Sequence, residues 1–127
     1  MPHALIIDDD RSNLGVLKEL LAMEQITYTA LNDSPKVEAT LEQGSQIDVV
    51  ILDLGMPNLN GYQVFDIIRK YPHMANVPVV ACTVHTGEAQ NARMTGFHSF
   101  LSKPLNIDQF SEQLARILSG ESVWQAY

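Results

Sequence analysis

Three carboxylates stand together at Asp8-Asp9-Asp10, and a fourth, Asp53, directly follows the apolar run Val49-Val-Ile-Leu52. Thr83 ends another such run, Val79-Val-Ala-Cys82, and Lys103 follows Phe100-Leu-Ser102. Acids gathered at one spot repel one another unless a cation compensates them. A hard divalent ion with oxygen ligands fits that need, and Mg²⁺ prefers one or two carboxylates plus waters and phosphate oxygens. A carboxylate can also attack phosphorus and form an acyl phosphate. That reaction needs a metal to neutralise phosphoryl oxygens, and a cation and a hydroxyl for the remaining ones. Asp53 as nucleophile, Asp8 and Asp9 at the metal, Lys103 and Thr83 on the oxygens make a complete set. Asp10 reads differently, as a cap for the helix that follows. His3, His73 and His98 show no ligand spacing and read as structural.

The set is useful only if the fold brings it together. Short apolar runs at Ala4–Ile7, Ile26–Leu31, Ile47–Leu52, Val77–Cys82 and Ser99–Leu101 alternate with amphipathic stretches. Ala4–Ile7, Val49–Leu52 and Val79–Cys82 lack inside-outside alternation, as expected of strands covered on both faces in a parallel sheet. Between them, Leu14, Leu17 and Leu21 share a helical face, as do Val64, Ile68 and Tyr71, and Phe110, Leu114, Ile117 and Leu118. Helices are also expected over roughly 35–43 and 86–95, on weaker periodicity. Ser34-Pro35 reads as an N-cap followed by proline at the first helical position. Asn60 with Gln63, and Asn106 with Gln109, read as capping boxes. The order is βα repeated five times, and right-handed crossovers make it a doubly wound, five-stranded parallel α/β sheet. Ligands of such sheets bind beyond the carboxyl ends of the strands. Asp8, Asp9, Asp53, Thr83 and Lys103 all fall there.

Composition agrees. The chain has 127 residues, a length that buries a real core as one domain. A net charge of -7 argues against direct contact with nucleic acid. Cys82 is the single cysteine, so no internal disulfide forms, and its apolar neighbours mark a buried strand thiol in a reducing compartment. Neither a signal peptide nor a membrane span is evident, so a cytoplasmic location is expected. The domain is expected over 1–120, with 121–127 as a C-terminal tail. Trp124 and Tyr127 in that tail either pack back on the domain, contact a partner or stay free.

Ala4-Leu-Ile-Ile-Asp-Asp-Asp10, Val50-Ile-Leu-Asp-Leu-Gly-Met-Pro57 with Asn60-Gly61, Val79-Val-Ala-Cys-Thr83 and Phe100-Leu-Ser-Lys-Pro104 together resemble the receiver domain of two-component response regulators, the CheY-like superfamily. The resemblance covers roughly residues 3–119. The spacings of 44 residues from Asp9 to Asp53, 30 on to Thr83 and 20 on to Lys103 fall in the family's range. It implies a flavodoxin-like (βα)5 fold with strand order 2-1-3-4-5. It further implies that Asp53 accepts a phosphoryl group from a sensor histidine kinase or a histidine phosphotransfer protein. Mg²⁺ (or Mn²⁺) would be held by Asp9 directly, by Asp8 through water, by Asp53 and by the backbone carbonyl of Gly55. Lys103 would pair with Asp53 before phosphorylation and with a phosphoryl oxygen afterwards, its bond to Pro104 being cis. Thr83 and Phe100 correspond to a switch pair that remodels the face of the fourth helix, fifth strand and fifth helix toward a downstream protein target. The protein would be a monomer or weak dimer, a switch and not an enzyme.

Four positions depart from the commonest family pattern. Val84 is larger than the frequent alanine and is expected to narrow access to the phosphoryl group, and Phe97 replaces a small residue. Gly55 and His85 occupy variable positions thought to set how fast phosphate is lost, with His85 read mainly as an exposed loop side chain. Two other functions compete. A Mg²⁺-dependent phosphohydrolase of the haloacid-dehalogenase type would need a second Asp two residues after Asp53, where Gly55 stands. A degenerate receiver acting only as a docking module would have no need to keep Asp8, Asp9, Asp53, Thr83 and Lys103 together.

Overall fold

The computed structural model describes residues 2–125. Its elements run β1 (His3–Ile7), α1 (Arg11–Met23), β2 (Thr27–Leu31), α2 (Val37–Glu42), β3 (Val49–Leu52), α3 (Gly61–Arg69), β4 (Val79–Thr83), α4 (Ala89–Thr95), β5 (Ser99–Ser102) and α5 (Ile107–Leu118). The strands form one parallel sheet in the order β2-β1-β3-β4-β5. This is the doubly wound α/β fold expected from the sequence.

The unbroken apolar runs have a direct cause. Successive strand side chains point to opposite faces, and here both faces are covered. Leu5, Ile7, Val50, Leu52, Val79, Ala81 and Phe100 join Val37 and Leu41 of α2, Val64, Phe65 and Ile68 of α3 and Ala92 of α4. The alternate residues Ala4, Ile6, Val49, Ile51, Val80, Cys82 and Leu101 join Leu14, Leu17, Leu20 and Leu21 of α1 and Phe110, Leu114 and Ile117 of α5. A polar residue at any of these positions would leave an unpaired group in one of the two cores.

Helix ends follow local chemistry, with two corrections. Asp10 caps α1 through Oδ1, which accepts from the N–H groups of Ser12 and Asn13. Asn60 and Gln63 form the reciprocal capping box on α3. Asn106 caps α5 by accepting from the N–H of Asp108, a different bond from the reciprocal box expected with Gln109. Ser34 does not cap α2. It opens a 3-10 turn, Ser34–Lys36, and its hydroxyl donates to Pro57 O at 3.3 Å and accepts from Leu59 N at 3.2 Å. The helices expected over 35–43 and 86–95 both begin as 3-10 turns, Ser34–Lys36 and Thr86–Glu88, before becoming α-helical. Among the described residues no helix is long and apolar enough to cross a membrane. Tyr127 lies outside the described residues, whereas Trp124 packs back against the domain.

Candidate functional site

Parallel register delivers the chemistry-bearing residues to one edge. Ile7 pairs with Leu52 and Leu52 with Ala81, while Thr83 pairs with Ser102. The ladder continues one step past each strand, with Asp8 N donating to Leu31 O, Asp53 N to Ile7 O and Lys103 N to Thr83 O. Backbone bonds therefore fix where each functional side chain starts, before any contact among the side chains. The Lys103–Pro104 peptide is cis, as expected.

Asp8, Asp9 and Asp53 offer carboxylate oxygens that all lie within 4.8 Å of one another. Asp8 is almost wholly buried, whereas Asp9 is exposed. Asp8 Oδ1 accepts from the N–H of Asp10, and its Oδ2 accepts from Lys103 Nζ at 2.5 Å. Lys103 Nζ stands 3.5 Å from Asp53 Oδ2, and Asp53 Oδ1 accepts from Gly55 N–H at 3.4 Å. The expected pairing of Lys103 with Asp53 is present, and the lysine makes a second, closer ion pair with Asp8. Buried Asp8 has one oxygen committed to a backbone N–H and gains most from an ammonium on the other.

Electrostatics show what the cluster lacks. Burial pushes the Asp53 carboxyl above its ordinary value, and the charge of Asp8 adds to this. The Lys103 ammonium, the Gly55 N–H and the Thr83 hydroxyl pull it back only in part. Burial alone would lower the Lys103 pKa, but the hydrogen bond to Asp8 and the charges of Asp53 and Asp8 hold it above its usual value. With all groups ionised, three carboxylates face one ammonium. The deficit of about two positive charges and the all-oxygen donor set both suit Mg²⁺, whose bonds of about 2.0–2.1 Å are commensurate with the observed spread.

Around this cluster, Thr83 is fully buried, and its Oγ1 accepts from His85 N–H at 3.2 Å. Val84 points away from the core, 61 % exposed. His85 is exposed yet does more than stand in solvent: its ring crosses Gly55, where a Cβ would meet Nε2 at 3.2 Å. Phe97 is accommodated by stacking on Phe65, with centroids 4.6 Å apart, and by an edge contact with Tyr62. Phe100 is fully buried on the same sheet face as Ala81.

Two supports of the site escaped the sequence reading. Gly61, the first residue of α3, abuts the loop after β3 so closely that a Cβ would meet Asp53 O and Leu54 Cα, each at 2.6 Å. Tyr62 OH donates to Glu88 Oε1 at 2.7 Å, tying α3 to the loop after β4. The Asn60-Gly61 pair was a signal for the first. The second joins residues 26 apart on loop and helix and had none.

Comparison with known proteins agrees with this geometry. A family model described as response regulator receiver domain matches residues 4–115. The signal transduction histidine-protein kinase BarA of Escherichia coli K12 is 25% identical over 121 residues, covering 94% of this chain but only 13% of the kinase. Its match is therefore to one part of a much longer protein. A response regulator receiver domain protein from Clostridium thermocellum superposes with a TM-score of 0.81 at 27% identity, covering 94% of this chain and 95% of that one. The receiver domain of sensor histidine kinase PA1611 from Pseudomonas aeruginosa, solved with a magnesium ion coordinated in the active site cleft, gives 0.79 at 25% identity. That alignment covers 93% of this chain and 94% of the other.

Proposed function

The chain belongs to the response regulator receiver domain family, and from that premise we propose that it is a phosphoacceptor of two-component or phosphorelay signalling, with Asp53 as the acceptor. One observation carries the reading: the Asp53 carboxylate lies within 4.8 Å of those of Asp8 and Asp9 and 3.5 Å from the ammonium of Lys103. The donor is a phosphohistidine on a kinase or phosphotransfer protein. An oxygen of Asp53 attacks phosphorus, the P–N bond breaks, and the imidazole leaves with its electron pair and takes up a proton. The product is an acyl phosphate on Asp53.

Asp8, Asp9 and Asp53, with the backbone carbonyl of Gly55, would hold the divalent ion, which when bound neutralises charge on the phosphoryl oxygens. Lys103 takes one phosphoryl oxygen, moving from its contacts with Asp8 and Asp53. The Thr83 hydroxyl takes another, and Phe100 follows into the space that Thr83 vacates. Output then passes through α4, β5 and α5 to a protein target. The domain spans 1–120, works in the cytoplasm and turns over no external substrate.

The test is incubation with acetyl phosphate and Mg²⁺, read by intact mass. Wild type is expected to gain one phosphoryl group, and to gain none in EDTA or as Asp53→Asn. Equal labelling of Asp53→Asn would overturn the assignment.

A further inference from the structure

After α5 the chain turns at Gly120, with φ of 103°, and returns along the open edge of β5. Phe100 N donates to Val123 O at 2.8 Å, and Gln125 N donates to Phe100 O at 2.8 Å, a parallel bridge centred on Trp124. Val123 N donates to the buried Ser99 Oγ at 2.9 Å. Side chains alternate as in a strand: Val123 enters the core of α1 and α5, and Trp124 enters the opposite one. The indole stacks on Phe100, centroids 6.1 Å apart and planes 13° from parallel, under the Arg93 guanidinium of α4 at 4.3 Å. Arg116 of α5 holds the turn through Glu121 Oε2 at 2.8 Å. Residues 121–125 therefore lie across α4, β5 and α5, on the face assigned above to output. An unpaired strand edge is a ready template for another extended chain, and here the protein fills its own.

The same residues reach toward the phosphoryl site. Ala81 pairs with Phe100 across β4 and β5, and Thr83, two residues further on, shares the face of Ala81. Drawing Thr83 toward a phosphoryl group opens space beside Phe100. A ring that moves into that space leaves the indole stacked on it.

We propose that residues 121–125 form a displaceable strap over the β5 edge, and that loading Asp53 loosens the strap through Thr83 and Phe100, opening the edge to an extended partner segment with an aromatic side chain. The proposal rests on Asp53 being the acceptor. The partner's chemistry is that of the strap: main-chain pairing with Phe100 and an aromatic ring between Phe100 and Arg93. Coupling is reciprocal, so a strap that loading weakens must itself weaken loading.

Trp124 is the only tryptophan, so its emission reports the strap. The full chain is titrated with beryllofluoride in Mg²⁺, following bound fluoride by ¹⁹F NMR and Trp124 by emission and acrylamide quenching. A bound fluoride signal should appear together with red-shifted, more quenchable emission, and neither should appear in Asp53→Asn. Trp124→Ala should bind beryllofluoride about 5-fold tighter or more. Arg93→Ala, which keeps the reporter, should shift affinity and emission in the same direction. A bound signal with unchanged emission and unchanged affinity in both variants would overturn the strap and leave Asp53 as acceptor. No bound signal in wild type would remove the acceptor reading, and the coupling with it.

Discussion

Lys103 keeps two buried carboxylates tolerable by standing between them. Lys103→Ala leaves Asp8 and Asp53 facing each other without that ammonium. Breaking one partner of a buried ion pair costs about 3–5 kcal/mol, so urea unfolding in EDTA should show a loss of that order, partly restored by Mg²⁺. Phosphorylation should slow by about 10²–10³-fold, the usual effect of losing a group that stabilises developing charge. Asp53 has the opposite sign. Its folded pKa is raised, so the fold prefers it neutral: its stabilising contribution holds below about pH 3.8 and is lost as pH rises through the folded value. A neutral amide keeps the uncharged form that the fold prefers, so Asp53→Asn should raise metal-free stability relative to wild type as pH rises while abolishing phosphorylation, and a decrease would contradict the electrostatics described above. The identity of these residues was legible in the sequence because each follows an apolar run. That Lys103 leans on Asp8 was not, because side-chain geometry decides it.

At the scale of elements, α3 presses its first turn against the backbone of Asp53 and Leu54. Asn60→Ala removes one half of a capping box and should cost about 1 kcal/mol of stability with little change in phosphorylation. Gly61→Ala should be worse on both counts, because its Cβ meets backbone at Asp53 and Leu54 and must displace Asp53. Equal phosphorylation rates in the two variants would contradict that contact. Tyr62 supplies a pH signature: burial, then the hydrogen bond and charge of Glu88, push its phenol up to about 12. A raised acid favours the fold while neutral, so this tie should hold below pH 10 and be lost as pH rises toward 12. Alkaline titration by absorbance should show a phenol ionising near pH 12 that Tyr62→Phe removes, while the raised phenol of Tyr71 stays. Periodicity and caps made α1, α3 and α5 legible, since each carries a full apolar face. The starts of α2 and α4 were not, because both open as 3-10 turns, and Ser34 gives its hydroxyl to the loop at Pro57 and Leu59 in place of a cap.

For the molecule as a whole, one rule explains the arrangement: parallel strands covered on both faces deliver whatever follows them to a common edge. The apolar runs, their order and the polar residues after them made both sheet and site readable. The return of residues 123–125 to β5 was unreadable, since it depends on main-chain pairing that any extended segment makes. Binding Mg²⁺ to the folded form alone should raise stability with concentration, in keeping with an acidic cluster short of positive charge. The most direct measurement follows phosphorylation with borohydride, which reduces an acyl phosphate on aspartate to homoserine, and sequences the product by mass spectrometry. Homoserine is expected at position 53, only when Mg²⁺ is present. Homoserine at position 8 or 9 instead, or none anywhere after stoichiometric phosphorylation, would contradict the assignment of Asp53 as acceptor.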